Sequence, residues 1–242
     1  MDGLLEQLVE RLRRSFGDRL VSVVLYGSAA SNEDHSGYSD LNVLCVLTKT
    51  GVRELADAES LFRWWRGEGN PAPLLMSENE LQNATDSFAA EFHDMQKQRR
   101  VLHGPDVIAG ISIDTSFYRA QIEHDLRSKQ LRLRQKAAGI LSDDDHLRRL
   151  LVDSVSTFLV LFRHALALHG VDAPTGKRDV LERARERFAF DPAPFESLLD
   201  IREKRIRPRE VEPVGLLGPY LDGIASVIDA VDRLGGRTCA EN

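Results

Sequence analysis

The sequence predicts two architectures in succession, a domain that mixes strands with helices and then an antiparallel bundle of helices. Up to Gly104-Pro105, short apolar runs alternate with amphipathic helical patterns, which indicates an α/β or α+β domain. From Ser116 onward, long helical patterns follow one another, as is typical of helical bundles. With 242 residues, the chain is long enough for two modest domains. We expect them at residues 1–110 and 111–242.

The elements of the first domain follow from the spacing of its apolar residues. Runs rich in Val, Leu and aromatic residues predict four strands, at residues 21–26, 41–47, 73–76 and 88–95. Helical spacing predicts two longer helices, at residues 4–16 and 52–65. Ser77, with Glu80 three residues later, has the form of a capping box that opens a further short helix.

The elements of the second domain are helices with recognisable ends. Caps and stop residues predict five of them, at residues 116–138, 143–170 and 178–188, from 192 onward, and at 216–234. The helix over residues 143–170 is the most apolar in the chain. We therefore expect it to form the core of an antiparallel helical bundle.

Composition and charge exclude several classes of protein. Apolar residues make up 42% of the chain, but no apolar stretch approaches the roughly 20 residues that span a bilayer, so no membrane association is expected. The chain starts without the pattern of a secretory signal and has only Cys45 and Cys239, which predicts a cytoplasmic protein without disulfides. A net charge of −6 argues against binding to long nucleic acids. The sequence allows a homodimer.

A turn of small residues separates the first two predicted strands. Gly27 and Ser28 follow the first strand directly, where backbone N–H groups and the Ser28 hydroxyl can meet a phosphate without a bulky side chain in the way. Asp40 stands at the start of the second strand, beside that turn if the two strands pair. A carboxylate next to a phosphate site is a natural ligand for Mg²⁺.

These residues resemble the signature of the nucleotidyltransferases of the DNA polymerase beta superfamily. The resemblance lies in Tyr26-Gly27-Ser28 followed by Ser39-Asp40-Leu41-Asn42. It is closest to small bacterial members with a helical C-terminal domain, such as the aminoglycoside and kanamycin nucleotidyltransferases. The family signature is Gly-Ser followed by Asp-x-Asp or Asp-x-Glu, so Asn42 stands where the family has its second acid. The resemblance implies an α+β fold, with a mixed sheet and flanking helices before the bundle.

The resemblance also implies a reaction. Family members transfer a nucleoside monophosphate with the help of Mg²⁺, and we expect transfer of AMP from ATP to a hydroxyl of a small-molecule acceptor. Gly27 and Ser28 would hold the leaving phosphates. Asp40, Asn42 and Glu91 would ligate metal, with Asp40 and Glu91 as the catalytic carboxylates. Because a carboxamide offers only a neutral oxygen, Asn42 predicts a weakened metal site and weak turnover.

Two acids compete for the role of the third carboxylate. Glu91 and Asp94 are an odd number of residues apart, so in a regular strand they would face opposite sides of the sheet. Glu91 is flanked by apolar residues, whereas Asp94 opens a polar stretch. Glu91 is therefore preferred, and Asp94 remains the alternative.

Two further features lie in the predicted bundle. If the helix over residues 116–138 lines a cleft between the domains, Lys129 or Arg132 would reach the triphosphate of the nucleotide; a solvated helix face is the alternative. Arg163 and His169 resemble the Arg-x(4–6)-His pattern of HEPN-type ribonucleases, in which the two side chains would cleave RNA. A separation of six residues places these side chains far apart round a helix, which favours structural roles.

Three functional hypotheses follow. The first is an enzyme that adenylylates a hydroxylated small molecule. The second is a nucleotide-binding or regulatory module that has kept the fold and lost the chemistry, for which Asn42 is the motivating residue. The third is a HEPN-like ribonuclease that uses the helical domain.

Overall fold

The computed structural model describes residues 1–30, 41–172, 174 and 176–235 of the chain. The chain forms two compact units, of which the first is Met1–Ser116 and the second begins at Phe117. The first unit contains a sheet with flanking helices, and the described elements of the second unit are helices. The predicted α+β class, with the sheet before the helices, is confirmed.

The sheet of the first unit is mixed. Its described strands, in chain order, are β1 (Leu20–Tyr26), β2 (Asn42–Leu47), β3 (Leu74–Ser77) and β4 (Arg99–His103). They lie in the order β3-β2-β1-β4. β1 pairs antiparallel with both β2 and β4, and β2 pairs parallel with β3. The two central strands are therefore the two whose sequences are mainly apolar, with Ser22 and Asn42 as their polar residues.

Helices cover both faces of this sheet, which explains the apolar character of the central strands. The helices of the first unit are α1 (Asp2–Phe16), α2 (Val52–Gly67), α3 (Glu78–Asn83) and α4 (Ala89–Lys97). α1 and α2 pack against the face that carries Val23 and Leu25. α3 and α4 pack against the opposite face, which carries Val24 and Leu44. The predicted capping box is present, since Ser77 Oγ accepts from the Glu80 N–H.

Two local predictions in the first unit were wrong. Residues 88–95, predicted as a strand, lie in α4, because Ala89, Phe92 and Met95 recur at helical spacing and are buried together. β4 was not predicted, because its residues are only half-buried and include Arg99 and Arg100. β4 is an edge strand, and charged side chains are common on such edges.

The second unit is a bundle around one central helix. Its helices are α5 (Tyr118–Ala138), α6 (Asp144–Leu168), α7 (Lys177–Phe188), α8 (Ala193–Arg202) and α9 (Pro213–Gly235). α6 contacts each of the other four, as its apolar sequence predicted. Asp143 caps α6 by accepting from the His146 N–H, at 3.0 Å. Ser116 does not cap α5; Phe117 takes that position, and Ser116 hydrogen-bonds Asp114 instead.

Two helices of the bundle are long and apolar enough, by length and composition alone, to cross a membrane. They are α6 and α9. In the most apolar window of each, 50% of α6 and 39% of α9 is buried inside the protein. Packing in the centre of a helical bundle accounts for this apolar composition as well, since α6 and α9 contact one another there.

Candidate functional site

β1 ends in a tight turn that only glycine accommodates without strain. Gly27 has a φ of 78°, in the left-handed region that disfavours residues with a Cβ. Its carbonyl accepts from the Ala30 N–H at 2.9 Å, which closes the short 3-10 turn Ser28–Ala30. The Gly27 N–H donates to the Gln98 carbonyl at 3.2 Å. This N–H is thus engaged within the protein, so the contribution of Gly27 is backbone space and not a free donor.

Asn42 lies beside this turn because of the strand register. β1 and β2 pair so that Tyr26 is directly opposite Asn42. A Cβ placed on Gly27 would lie 3.5 Å from Asn42 Nδ2, an ordinary van der Waals distance. The structure therefore brings together Gly27 and Asn42 of the predicted site. Asp40 lies outside the described residues, as does the side chain of Ser28.

Glu91 approaches the same place from α4. It lies in the first turn of that helix with an exposed side chain. Burial raises the pKa of the half-buried Tyr26 phenol above its usual value, and the negative charge of Glu91 raises this pKa further. The Glu91 carboxylate is thus within electrostatic range of the Tyr26 ring, at the end of β1. α4 packs on the sheet face to which Tyr26 contributes, which positions the acid there.

The helical conformation removes the reason for preferring Glu91 over Asp94. The preference assumed a strand, in which residues three apart face opposite sides. In α4 the same separation places both carboxylates on neighbouring positions of one helix side. Exposure is what distinguishes them, because Glu91 is exposed and Asp94 is half-buried.

Lys129 and Arg132 lie in the second unit, on α5. Both side chains are exposed and line a groove between α5 and α6 with a volume of about 250 Å³. Lys136 lines the same groove. Arg127 points elsewhere, since its guanidinium binds the Glu123 carboxylate at 2.8 Å. On α5, the side chains of Lys129, Arg132 and Lys136 therefore line the groove, whereas Arg127 forms an ion pair on the surface.

Arg163 and His169, the pair that resembles a HEPN motif, lie towards the C-terminal end of α6. Arg163 is half-buried within the helix, and His169 is the residue that ends it. His169 Nδ1 accepts from the Arg187 guanidinium at 3.0 Å, and its ring packs edge-on against Phe188. These contacts attach the imidazole to α7 and favour a structural role.

The sequence patterns did not single out Tyr26 and Lys136. Tyr26 was named only as part of the motif, and its pairing with Asn42 on one side and Arg99 on the other becomes visible only with the sheet register. Arg99 is bound by Asp106, with Nε 3.0 Å from each carboxylate oxygen. Lys136 lies on the same predicted helix, and its separation from Lys129 and Arg132 is the helical spacing that places all three on one side.

Comparison with known proteins shows the fold. No protein-family model matches the sequence, and no curated protein sequence matches it significantly. Among solved structures, the chain is similar to the crystal structure of spectinomycin adenyltransferase AAD(9) from Enterococcus faecialis with ATP and spectinomycin. The TM-score is 0.61 at 13% sequence identity, over 94% of this chain and 98% of the other. The fold is thus the one implied by the resemblance of the Tyr26-Gly27-Ser28 segment.

Proposed function

We propose that the protein transfers AMP from ATP to a hydroxyl group of a small-molecule acceptor, in a reaction that depends on Mg²⁺. The observation that carries this proposal is the fold match, which covers almost the whole of both chains and whose counterpart was crystallised with ATP and spectinomycin. The arrangement of Gly27, Asn42 and Glu91 around the end of β1 supports it locally. Because the reaction consumes ATP, the proposal places the enzyme in the cytoplasm.

The donor atoms available at the end of β1 suit Mg²⁺. Asn42 offers a carboxamide oxygen and Glu91 a carboxylate, and we propose Asp40, two residues before Asn42 in the sequence, as the second charged ligand. All three are the hard oxygen donors that Mg²⁺ prefers. When bound, Mg²⁺ would neutralise the charge that develops on the phosphates during transfer. A carboxamide carries no charge, so we propose that this site binds Mg²⁺ more weakly than one with three acids.

The residues of the chain have separate tasks in the proposed reaction. Gly27, which has no Cβ, lets the phosphates approach the backbone of the turn. We propose that the Ser28 hydroxyl donates a hydrogen bond to the leaving phosphates. The exposed Glu91 would either ligate the Mg²⁺ beside the acceptor hydroxyl or accept the proton of that hydroxyl, and each role makes the oxygen more nucleophilic. Each task uses a group at or beside the end of β1.

Pyrophosphate release tests the proposal. The protein is incubated with ATP, Mg²⁺ and a panel of aminoglycoside and aminocyclitol acceptors that includes spectinomycin, and acceptor-dependent pyrophosphate is measured. We expect release in the wild type and a loss of about 100-fold or more in Asp40→Ala and Glu91→Gln, as for other acid–base and metal-ligand groups. Glu6→Gln, an exposed acid on α1, is the matched control and should retain the wild-type rate. Equal rates in Glu91→Gln and Glu6→Gln would contradict the role given to Glu91.

A second candidate function is nucleotide binding without transfer. The observation that favours it is the neutral side chain of Asn42 beside Gly27, which we propose corresponds to the second acid of the signature that the sequence resembles. In this case the wild type binds ATP but releases no pyrophosphate with any acceptor. Asn42→Asp would then strengthen Mg²⁺ binding, and the turnover of this variant would show whether the missing charge alone prevents transfer.

A further inference from the structure

The groove between α5 and α6 has one cationic wall and a floor that is mainly apolar. Lys129, Arg132 and Lys136 of α5 form the wall. Leu133 and Phe158 lie beneath, and Phe158 is only 1% exposed. The volume of about 250 Å³ exceeds that needed for a few waters and suits a small ligand. Charges that line a concavity with an apolar floor interact more strongly with a ligand than charges on a convex surface, because less water screens them.

The three cations are arranged to act on one ligand. At about 100° per residue, residues 129, 132 and 136 lie within an arc of about 60° on the helix. The first and the last are about 10 Å apart along the helix axis, a distance that flexible Lys side chains can shorten from both ends. Together they present a row of donors and no acceptors along one wall.

Among the described residues, these cations have no ion-pair partner, in contrast to several other cations of the bundle. In the second unit, Arg119 and Arg127 bind Glu123, Arg148 binds Asp145, and Arg178 binds both Asp200 and Glu203. Within the part of the chain that the structure describes, Lys129, Arg132 and Lys136 form no ion pair. Their positive charges are therefore available to a ligand at no cost from breaking internal contacts.

The opposite wall of the groove belongs to α6, and it reduces the positive charge of the groove without cancelling it. It contributes the Asp153 carboxylate and the Thr157 hydroxyl, both on exposed residues. One carboxylate faces three cations, so the groove keeps a net positive charge. Thr157 adds a donor that can reach an oxygen of an anion bound along α5.

We propose that this groove is a polyphosphate-binding site. A chain of linked phosphates carries several negative charges along its length and matches a row of cations better than a single anion does. Two sources have this chemistry, the triphosphate of a nucleotide and a free inorganic polyphosphate. Binding here requires no transfer chemistry, so the site stands independently of the function proposed above.

Calorimetric titration with two probes tests the site. Inorganic tripolyphosphate and ATP, each without Mg²⁺, are titrated into the wild type and into the groove variant Lys129→Gln/Arg132→Gln/Lys136→Gln. The matched control is Arg134→Gln/Arg149→Gln/Arg233→Gln, which removes the same number of charges from exposed positions outside the groove. Circular dichroism of both variants verifies that the bundle is folded.

We expect the wild type to bind tripolyphosphate, the groove variant to bind it about ten-fold or more weakly, and the control variant to bind like the wild type. A parallel loss of ATP affinity would identify the nucleotide as the source of the polyphosphate, and unchanged ATP affinity would identify the free polyphosphate. An absence of tripolyphosphate binding in the wild type, or an equal loss in both variants, would overturn the proposal. Pyrophosphate release by the wild type in that case would leave the proposed transferase function intact.

Discussion

The turn after β1 and the groove of the bundle are positioned in different ways. The turn is fixed by the backbone, through the Tyr26–Asn42 register and the positive φ of Gly27. Val24 and Leu44, in the two strands that meet at the turn, are fully buried. The groove is formed by exposed side chains of an intact helix. We infer that substitutions at the turn change stability and geometry, whereas substitutions in the groove change charge alone.

The two regions also carry opposite chemistry. The described residues around the turn offer the oxygen atoms of Asn42 and Glu91, which attract cations. The groove offers Lys129, Arg132 and Lys136, which attract anions. The variants described next test the stability of the turn and its affinity for cations.

The largest expected effect is on the stability of the turn. Gly27→Ala places a Cβ on a residue with a φ of 78°, so we expect the free energy of unfolding to fall by about 1–2 kcal/mol. Gly67→Ala is the matched control, because this glycine lies at the end of α2 with no atom within 4 Å of an added Cβ. The control should be neutral or stabilising by up to about 1 kcal/mol. Urea denaturation measures both, and equal effects would contradict a strained turn.

A second effect concerns the affinity for metal at the turn. Asn42→Asp adds a carboxylate beside Gly27, and we expect Mg²⁺ to bind about ten-fold more tightly, as for one added charge–charge contact in a partly solvated site. Gln82→Glu adds the same charge at an exposed position of α3 and should leave Mg²⁺ affinity unchanged. Calorimetry with Mg²⁺ measures the two variants. A gain in both would mean that overall charge, and not the position of residue 42, controls binding.

The smallest expected effect is on the titration of Tyr26. Burial and the charge of Glu91 raise the pKa of Tyr26 above its usual value of 10.0, so Glu91→Gln should lower this pKa. A raised pKa in the folded state stabilises the protein below the unfolded pKa, and this contribution is lost as the pH rises through the folded pKa. Glu91→Gln should therefore reduce the loss of stability at alkaline pH. Phenolate absorbance, with Tyr26→Phe to assign the signal, measures the shift; an unchanged pKa would place Glu91 too far away to act at this site.

The sequence predicted those parts of the fold whose residues carry one clear pattern. The apolar runs of β1 and β2 are too short to form a buried helix, so they predict strands. Asp143 and Ser77 cap helices through local hydrogen bonds. The prediction of a strand at residues 88–95 was wrong because a short apolar run fits either a strand or a turn of helix. Packing on the sheet stabilises the helix here. β4 could not be predicted from its own residues, because pairing with β1 and not apolar content holds it in place.

The candidate site was predictable only in part. The closeness of Gly27 and Asn42 follows from antiparallel pairing of neighbouring strands, which a sequence can suggest. The hydrogen bond from the Gly27 N–H to the Gln98 carbonyl depends on the position of β4, which the sequence did not predict. The groove depends on how α5 packs against α6, so helical spacing pointed to the three cations but not to the concavity between the helices.

The most direct test of the proposed function is the titration of ATP into the protein with and without Mg²⁺, repeated with Asp40→Ala. We predict that Mg²⁺ strengthens ATP binding in the wild type and that this gain is lost in Asp40→Ala. We also predict that the gain is larger in Asn42→Asp. Binding of ATP that is identical with and without Mg²⁺ in all three proteins would contradict a nucleotide site at the end of β1.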